Sequence, residues 1–164
     1  MMENKTNVMR ILDRNHIPYI PHYYSCEKNI FEDGYSVAES LGQDPSRVFK
    51  TLVTHSLKGN YVFVIPVNTE LDLRKAAKTV GVKSVSMLHL SDLTSTTGYI
   101  RGGCSPVGMK KSFPTVFHNS ALQFETIMVS AGKIGSQIEI DPRALAGLVK
   151  GTFANIVLED KSEC

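Results

Sequence analysis

What this chain has little of narrows the possibilities first. Cysteine occurs only three times, at Cys26, Cys104 and Cys164, an odd number at wide spacing with no CxxC pair. That usage argues against a disulfide scaffold and a zinc site, and for reduced thiols in the cytoplasm. No stretch has the apolar length needed to cross a bilayer. The opening residues Met1-Met2-Glu3-Asn4-Lys5 also lack the basic-then-apolar run of a secretory signal, so no membrane association is expected. Charge of one sign is scarce as well: 18 Lys and Arg stand against 16 Asp and Glu, a net of +2. Proteins that wrap long duplexes carry a much stronger basic stripe, so DNA is not an expected partner. A small excess suits a grip on a few phosphates at the end of an RNA, and equally suits no nucleic acid at all.

Low-complexity tracts and internal repeats are also missing, so no linker or domain boundary is drawn. The 164 residues fit one domain, 1–164, able to bury about two-thirds of its unfolded surface. HExxH, GxSxG, paired-carboxylate and EF-hand signatures do not occur, which weakens protease, esterase, glycosidase and calcium-binding readings. Neither a metal nor a cofactor is expected.

The elements that are present read as follows. Val8, Ile11 and Leu12 recur at helical spacing, predicting a first helix over 5–15, and Pro18 to Tyr24 reads as an edge strand. Ser36 and Glu39 have capping-box spacing and Gly42 suits a helix end, so a short helix is expected between them. Arg47 to His55 reads as a buried strand, turned by Lys58-Gly59-Asn60 into a second strand, Tyr61 to Val67. Asp72 caps a helix whose Leu73, Ala76, Ala77 and Val80 share a face, and Gly81 ends it. Val82 to Met87 reads as a strand, and the glycine-rich run 98–112 as a structured loop. Thr115 to His118, Thr126 to Ser130 and Gln137 to Ile140 read as short strands, and Asp141-Pro142 starts a helix to about Val149. Hairpins mixed with helices predict a single α+β domain with a mixed or antiparallel sheet, or a partly open barrel, surrounded by helices. Regular βαβ alternation is missing, which excludes a doubly wound fold.

Two places could carry chemistry. Lys50 lies inside the apolar run Val48-Phe49-Lys50-Thr51-Leu52-Val53, where strand alternation puts it on the face of Val48 and Leu52. An ammonium there needs solvent, a carboxylate or an anionic ligand, so it is either an edge-strand lysine reaching water or a binding residue. In Tyr99-Ile100-Arg101-Gly102-Gly103-Cys104-Ser105-Pro106, paired glycines allow close backbone approach, and successive N–H groups could converge on a developing oxyanion. A Gly-Gly pair is also often merely a turn. Cys104 has no histidine in a cysteine-hydrolase motif beside it, so it is read as an incidental or buried thiol. Ser130-Ala131-Gly132-Lys133-Ile134-Gly135 lacks the spacing of a phosphate loop and reads as a hairpin turn that could also approach a ligand.

Taken in order, VFKTLV (48–53), GYIRGGCSPVGMKK (98–111) and VSAGKIGSQIEI (129–140) resemble the bacterial YbaK family of cysteinyl-tRNA(Pro) deacylases, over about Arg10 to Ile156. The resemblance implies an α+β editing domain that clears mischarged Cys-tRNA(Pro), and possible action on Cys-tRNA(Cys) goes with it. It implies that Lys50 is the essential lysine and that Gly102 and Pro106 form the GxxxP motif, with Gly102 and Gly103 as oxyanion donors. Tyr24 matches a pocket tyrosine, and Ser130 with Gly132 matches an SxG turn. Thr51, Tyr99 and Arg101, neighbours of these motifs, complete the implied substrate-binding set. Two positions depart from the pattern: Asp33 falls where the family has a pocket phenylalanine, with Phe31 near by, and Gln137 replaces an aspartate. The implied mechanism uses the substrate's own thiol, which attacks the ester and leaves as a thiolactone. The implied partners are the 3′ CCA end of an aminoacyl-tRNA and prolyl-tRNA synthetase. Two alternatives stay open: an Ala-tRNA(Pro) hydrolase of the synthetase-inserted type, and a non-catalytic module that docks on tRNA or synthetase.

Overall fold

Local capping chemistry sets most helix boundaries. Thr6 accepts a hydrogen bond from the N–H of Met9 and opens α1 (Asn7–Arg14), whose Val8, Met9 and Leu12 are buried. The computed structural model describes residues 5–25 and 33–159. Helix α2 (Gly34–Leu41) starts one turn earlier than the expected capping box. Asp33 is its cap, accepting from the Ser36 N–H at 2.8 Å, so Ser36 is the third helical residue and not the cap. Gly42, in the left-handed region, ends it as expected. Asp72 and Gly81 bracket α3 (Leu73–Val80) as read from the sequence, with Ala76 and Ala77 buried but Leu73 on the exposed side. Asp141-Pro142 starts α5 (Pro142–Val149).

Two sheets carry the fold. The first has the order β1-β7-β6, all antiparallel, with β1 (Tyr19–Tyr23), the anticipated edge strand, paired to β7 (Ser136–Ile140), and β7 to β6 (Ile127–Lys133). The second has the order β4-β2-β3-β5-β8 and is mixed. Strands β2 (Phe49–Ser56) and β3 (Gly59–Pro66) form the expected hairpin, and β5 (Thr115–His118) joins β3 in parallel. Arg47 lies in a 3-10 turn ahead of β2, because Asp44-Pro45 starts a cap there. Three elements differ from the sequence reading. The strand expected over Val82–Met87 is only β4 (Ser86–Met87), while α4 (Leu90–Thr97) and β8 (Thr152–Ala154) were not anticipated. Helix α4 has no side-chain cap and only one buried residue, Thr97, so its sequence carries little periodic signal.

The sheets do not close into a barrel. A parallel bridge between Val48 and Met128 brings the start of β2 against β6, and Ala38 of α2 packs on that junction. The main core, including Leu12, Phe49, Val64, Phe117, Ile127, Ile138 and Leu145, lies between the sheets, α1 and α5. A second cluster, with Phe63, Ile65, Ala76 and Ile156, lies under α3. Among the described residues no helix is long and apolar enough to cross a membrane.

Candidate functional site

The junction of the two sheets leaves a cavity of about 310 Å³. Four chain segments form its walls: Asp33 and Gly34 opening α2, Val48 to Leu52 on β2, the loop at Arg101, Gly102 and Cys104, and the β6–β7 ladder at Ser130 and Gln137. Segments about fifty and eighty residues from Lys50 thus meet it at one surface. Six of the anticipated residues line this cavity: Lys50, Thr51, Arg101, Gly102, Ser130 and Gln137.

Burial pushes the Lys50 ammonium below its ordinary value of 10.5, and the carboxylates of Glu70 and Asp33 act against that shift. Lys50 is thus half-buried at a place where an anionic ligand would offset the cost of its charge. Asp33 is exposed, and the Ser36 N–H, followed by the Ser36 hydroxyl, holds its carboxyl below the ordinary range. Deeper in the cavity wall, Ser130 and Gln137 face each other across the β6–β7 ladder and are nearly fully buried. Two buried oxygens of lining residues, Thr51 Oγ1 and Gln137 Oε1, have no hydrogen-bond partner among the described residues. Buried polar atoms normally find partners, so these two mark places where a ligand's donors would be favoured.

The glycine pair divides its roles. Gly102, with φ of +86°, lines the cavity. The Gly103 N–H instead donates to the Ile100 carbonyl at 3.0 Å, inside the turn. A Cβ on Gly103 would lie 3.2 Å from the Ile134 nitrogen, so this glycine lets the loop pack on the β6–β7 turn. The N–H groups of Gly102 and Cys104 have no hydrogen-bond partner among the described residues. Cys104 also lines the cavity, and burial pushes its thiol up to about 12, which keeps it protonated at neutral pH.

Four other anticipated residues lie outside the cavity wall. Pro106 lines a separate cleft of about 190 Å³ with Ile11, Met109 and Phe113. Gly132 packs on Val8 and Tyr99, and its N–H donates to Ser130 Oγ at 3.1 Å. Tyr99 runs beneath the loop, its hydroxyl donating to the Val107 carbonyl. Tyr24 directly follows β1, its N–H donating to the Gly135 carbonyl at 3.0 Å. Phe31 lies outside the described residues.

One set of contacts next to the cavity escaped the sequence reading. Glu139, two residues past Gln137, accepts from Arg47 Nη2 at 2.8 Å and from Thr126 Oγ1 at 2.7 Å, and lies 2.9 Å from His22 Nε2. These partners lie up to 117 positions apart, and no motif links them. Among the described residues, no three His, Cys, Asp or Glu side chains gather as a metal site.

Comparison with known proteins gives this geometry a context. Residues 34–148 match the model of a family described as the aminoacyl-tRNA editing domain. An Enterococcus faecalis protein named "Putative Cys-tRNA(Pro)/Cys-tRNA(Cys) deacylase EbsC" is 51% identical over 159 residues, covering 96% of each chain. An uncharacterized Bacillus subtilis protein is 26% identical over 110 residues, 66% of this chain and 69% of that one. Among solved structures, one described as "a putative trans-editing enzyme for prolyl tRNA synthetase" superposes with a TM-score of 0.81 at 20% identity, over 97% of this chain and all of that one. At that identity the likeness speaks to the fold.

Proposed function

Since the chain belongs to the aminoacyl-tRNA editing family, we propose that its cavity deacylates cysteine mischarged on tRNA(Pro), with Cys-tRNA(Cys) as a further substrate. The observation that carries this reading is the makeup of one cavity. A half-buried lysine, a positive-φ glycine and two buried oxygens without partners among the described residues line it. Among the described lining residues, no serine, threonine or cysteine side chain is hydrogen-bonded to a base. The cavity is sized for an aminoacyl ester and not for an acceptor stem, so the rest of the tRNA lies outside it.

In this mechanism Lys50 holds the anionic end of the substrate, at the phosphate or ribose of the terminal adenosine, and moves no proton. Thr51 Oγ1, Gln137 Oε1 and Ser130 receive the aminoacyl group, with Gln137 Oε1 accepting from its ammonium. The cysteine sulfur of the substrate attacks its own ester carbonyl carbon. A C–S bond forms, the C–O bond to the ribose breaks, and the ribose oxygen takes up a proton equivalent to the one lost by the thiol. The products are a small thiolactone and uncharged tRNA. The N–H groups of Gly102 and Cys104 stabilise the oxyanion, with Gly103 shaping the turn that holds them. Catalysis then rests on positioning and electrostatics. The residues 1–164 act as one editing domain in the cytoplasm, receiving substrate from prolyl-tRNA synthetase.

The test is release of amino acid from purified cysteinyl-, alanyl- and seryl-tRNA(Pro). Fast release from the cysteinyl substrate alone supports the reading. Equal release of alanine would favour an activated water, and no release from any substrate would favour a docking module.

A further inference from the structure

The deacylase reading makes the loop at 98–110 catalytic but leaves open what holds its donors in place. The loop's base is closed by the Lys110 N–H donating to the Thr97 carbonyl at 3.0 Å. Its middle is bridged by the Tyr99 side chain, whose hydroxyl donates to the Val107 carbonyl across eight residues, while the Val107 N–H donates to Ser105 Oγ at 3.3 Å. The Tyr99 backbone is itself anchored: its N–H donates to Thr97 Oγ1 at 3.0 Å, and its carbonyl accepts from Thr94 Oγ1 at 3.0 Å.

Two glycines make room for this ring. A Cβ on Gly132 would lie 3.1 Å from Tyr99 Cε1, and one on Gly108 would lie 2.9 Å from the Tyr99 hydroxyl. A side chain at Gly132 would also meet Val8, and one at Gly108 would meet Ile11 and Asn7, while both residues have positive φ, so close packing and backbone conformation together call for glycine. Between the two ends of the Tyr99 bridge lie Gly102 and Cys104, whose N–H groups have no hydrogen-bond partner among the described residues. Burial also pushes the Tyr99 hydroxyl up to about 12, so it stays a donor throughout the working pH range.

We propose that Tyr99 is a positioning residue: its hydroxyl straps the segment 100–106 closed, and so fixes the Gly102 and Cys104 donors against the substrate ester. The proposal rests on the deacylase reading for its catalytic half only. The strap itself is a statement about the loop.

Tyr99→Phe removes one oxygen and keeps the ring that fills the space beside Gly108 and Gly132. Its amide hydrogen exchange and its single-turnover deacylation of cysteinyl-tRNA(Pro) are compared with wild type, with Tyr23→Phe on the exposed edge strand as control. The strap predicts that the Gly103 N–H, bonded within the turn, exchanges at least about tenfold faster in Tyr99→Phe, while β2 and β7 amides do not change. It also predicts that kcat falls about tenfold or more with KM within about twofold, because the donors act only in the transition state. Unchanged Gly103 exchange would overturn the strap whatever the activity. Faster exchange with unchanged kcat would overturn the positioning role. Faster exchange in a protein whose wild type deacylates none of the three substrates would uphold the strap and sink the deacylase reading instead.

Discussion

Arg47 donates from Nη2 to Glu139 Oε2 at 2.8 Å, joining the chain three residues ahead of Lys50 to the strand two residues past Gln137. Arg47 also donates from Nε to the Thr126 carbonyl at 3.0 Å and from Nη1 to Gln43 Oε1 at 2.7 Å, so the guanidinium is held on three sides. The Val48–Met128 backbone bridge joins the two sheets at the same end. The ion pair thus adds a side-chain tie between the two cavity walls beside that backbone bridge.

Glu139→Gln should lower stability by about 1.5–3 kcal/mol at pH 7, the range for hydrogen bonds to a charged group. The Thr126 hydroxyl, then His22 and Arg47, hold the Glu139 carboxyl below its ordinary value of 4.5. A folded-state pKa that is depressed contributes stability above the unfolded value, and that stability is lost as pH falls through the folded value. The gap between wild type and variant should thus start to narrow as pH falls below the ordinary carboxylate value of about 4.3 and vanish only below the folded value. Urea unfolding at stepped pH measures it, and a gap that does not narrow on acidification would refute the assignment.

Lys50→Met should separate activity from stability. Burial disfavours the ammonium, so replacing it with an apolar side chain of similar length should leave stability unchanged or raise it by up to about 1 kcal/mol. Deacylation should fall more than tenfold, a loss above ~1.4 kcal/mol of transition-state stabilisation. Lys50→Arg keeps the charge and should retain more activity than Lys50→Met. Turnover by Lys50→Met above a tenth of wild type would remove Lys50 from the site.

The glycine pair should respond in opposite ways. Gly103→Ala pushes a methyl group to 3.2 Å from the Ile134 backbone nitrogen, where only main chain can yield, and should cost about 1–3 kcal/mol in stability. Gly102→Ala meets the strain of φ +86°, about 1–2 kcal/mol, and also places a methyl group at the cavity wall. Its rate should fall at least tenfold, as measured on enzyme that chemical denaturation shows to be folded. An unaltered rate for Gly102→Ala would exclude its N–H as a donor to the oxyanion.

Cys104→Ala should keep most of the activity, within about threefold, because the backbone N–H survives the change. Its thiol, raised to about 12 by burial, is a poor nucleophile at neutral pH. Seryl-tRNA(Pro), nearly the same shape as the cysteinyl substrate, should react far more slowly, since a hydroxyl ionises much less readily than a thiol. Loss of activity in folded Cys104→Ala, with both substrates cleaved alike, would show that the protein thiol is the nucleophile.

Where an element is governed by its own residues, reading it from the sequence succeeds. Asp72 and Gly81 bracket α3, Asp141-Pro142 opens α5, and Lys58-Gly59 turns β2 into β3, each through a local hydrogen bond or a positive φ. Local reading misses what packing decides. β8 is three residues long and exists because it pairs in parallel with β5, while α4 buries little and has no side-chain cap. Ser36 and Glu39 have capping-box spacing, but Asp33 three residues earlier takes the Ser36 N–H and opens the helix instead.

The site divides along the same line. Sequence alone determined which residue types were available: a lysine inside an apolar strand, a pair of glycines before a proline, and no nucleophile with a base in a known motif. It could not decide which side of the backbone each residue serves, because direction depends on partners that are distant in the chain. Tertiary structure turned Gly102 to the cavity and Gly103 to the β6–β7 turn, sent Pro106 to another cleft, and put Tyr99 under the loop. It also brought Arg47 and Glu139 together across 92 positions. Capping and turn energies act over a few residues and are written locally. The shape of a cavity is set by contacts between strands that meet only when the whole chain has packed.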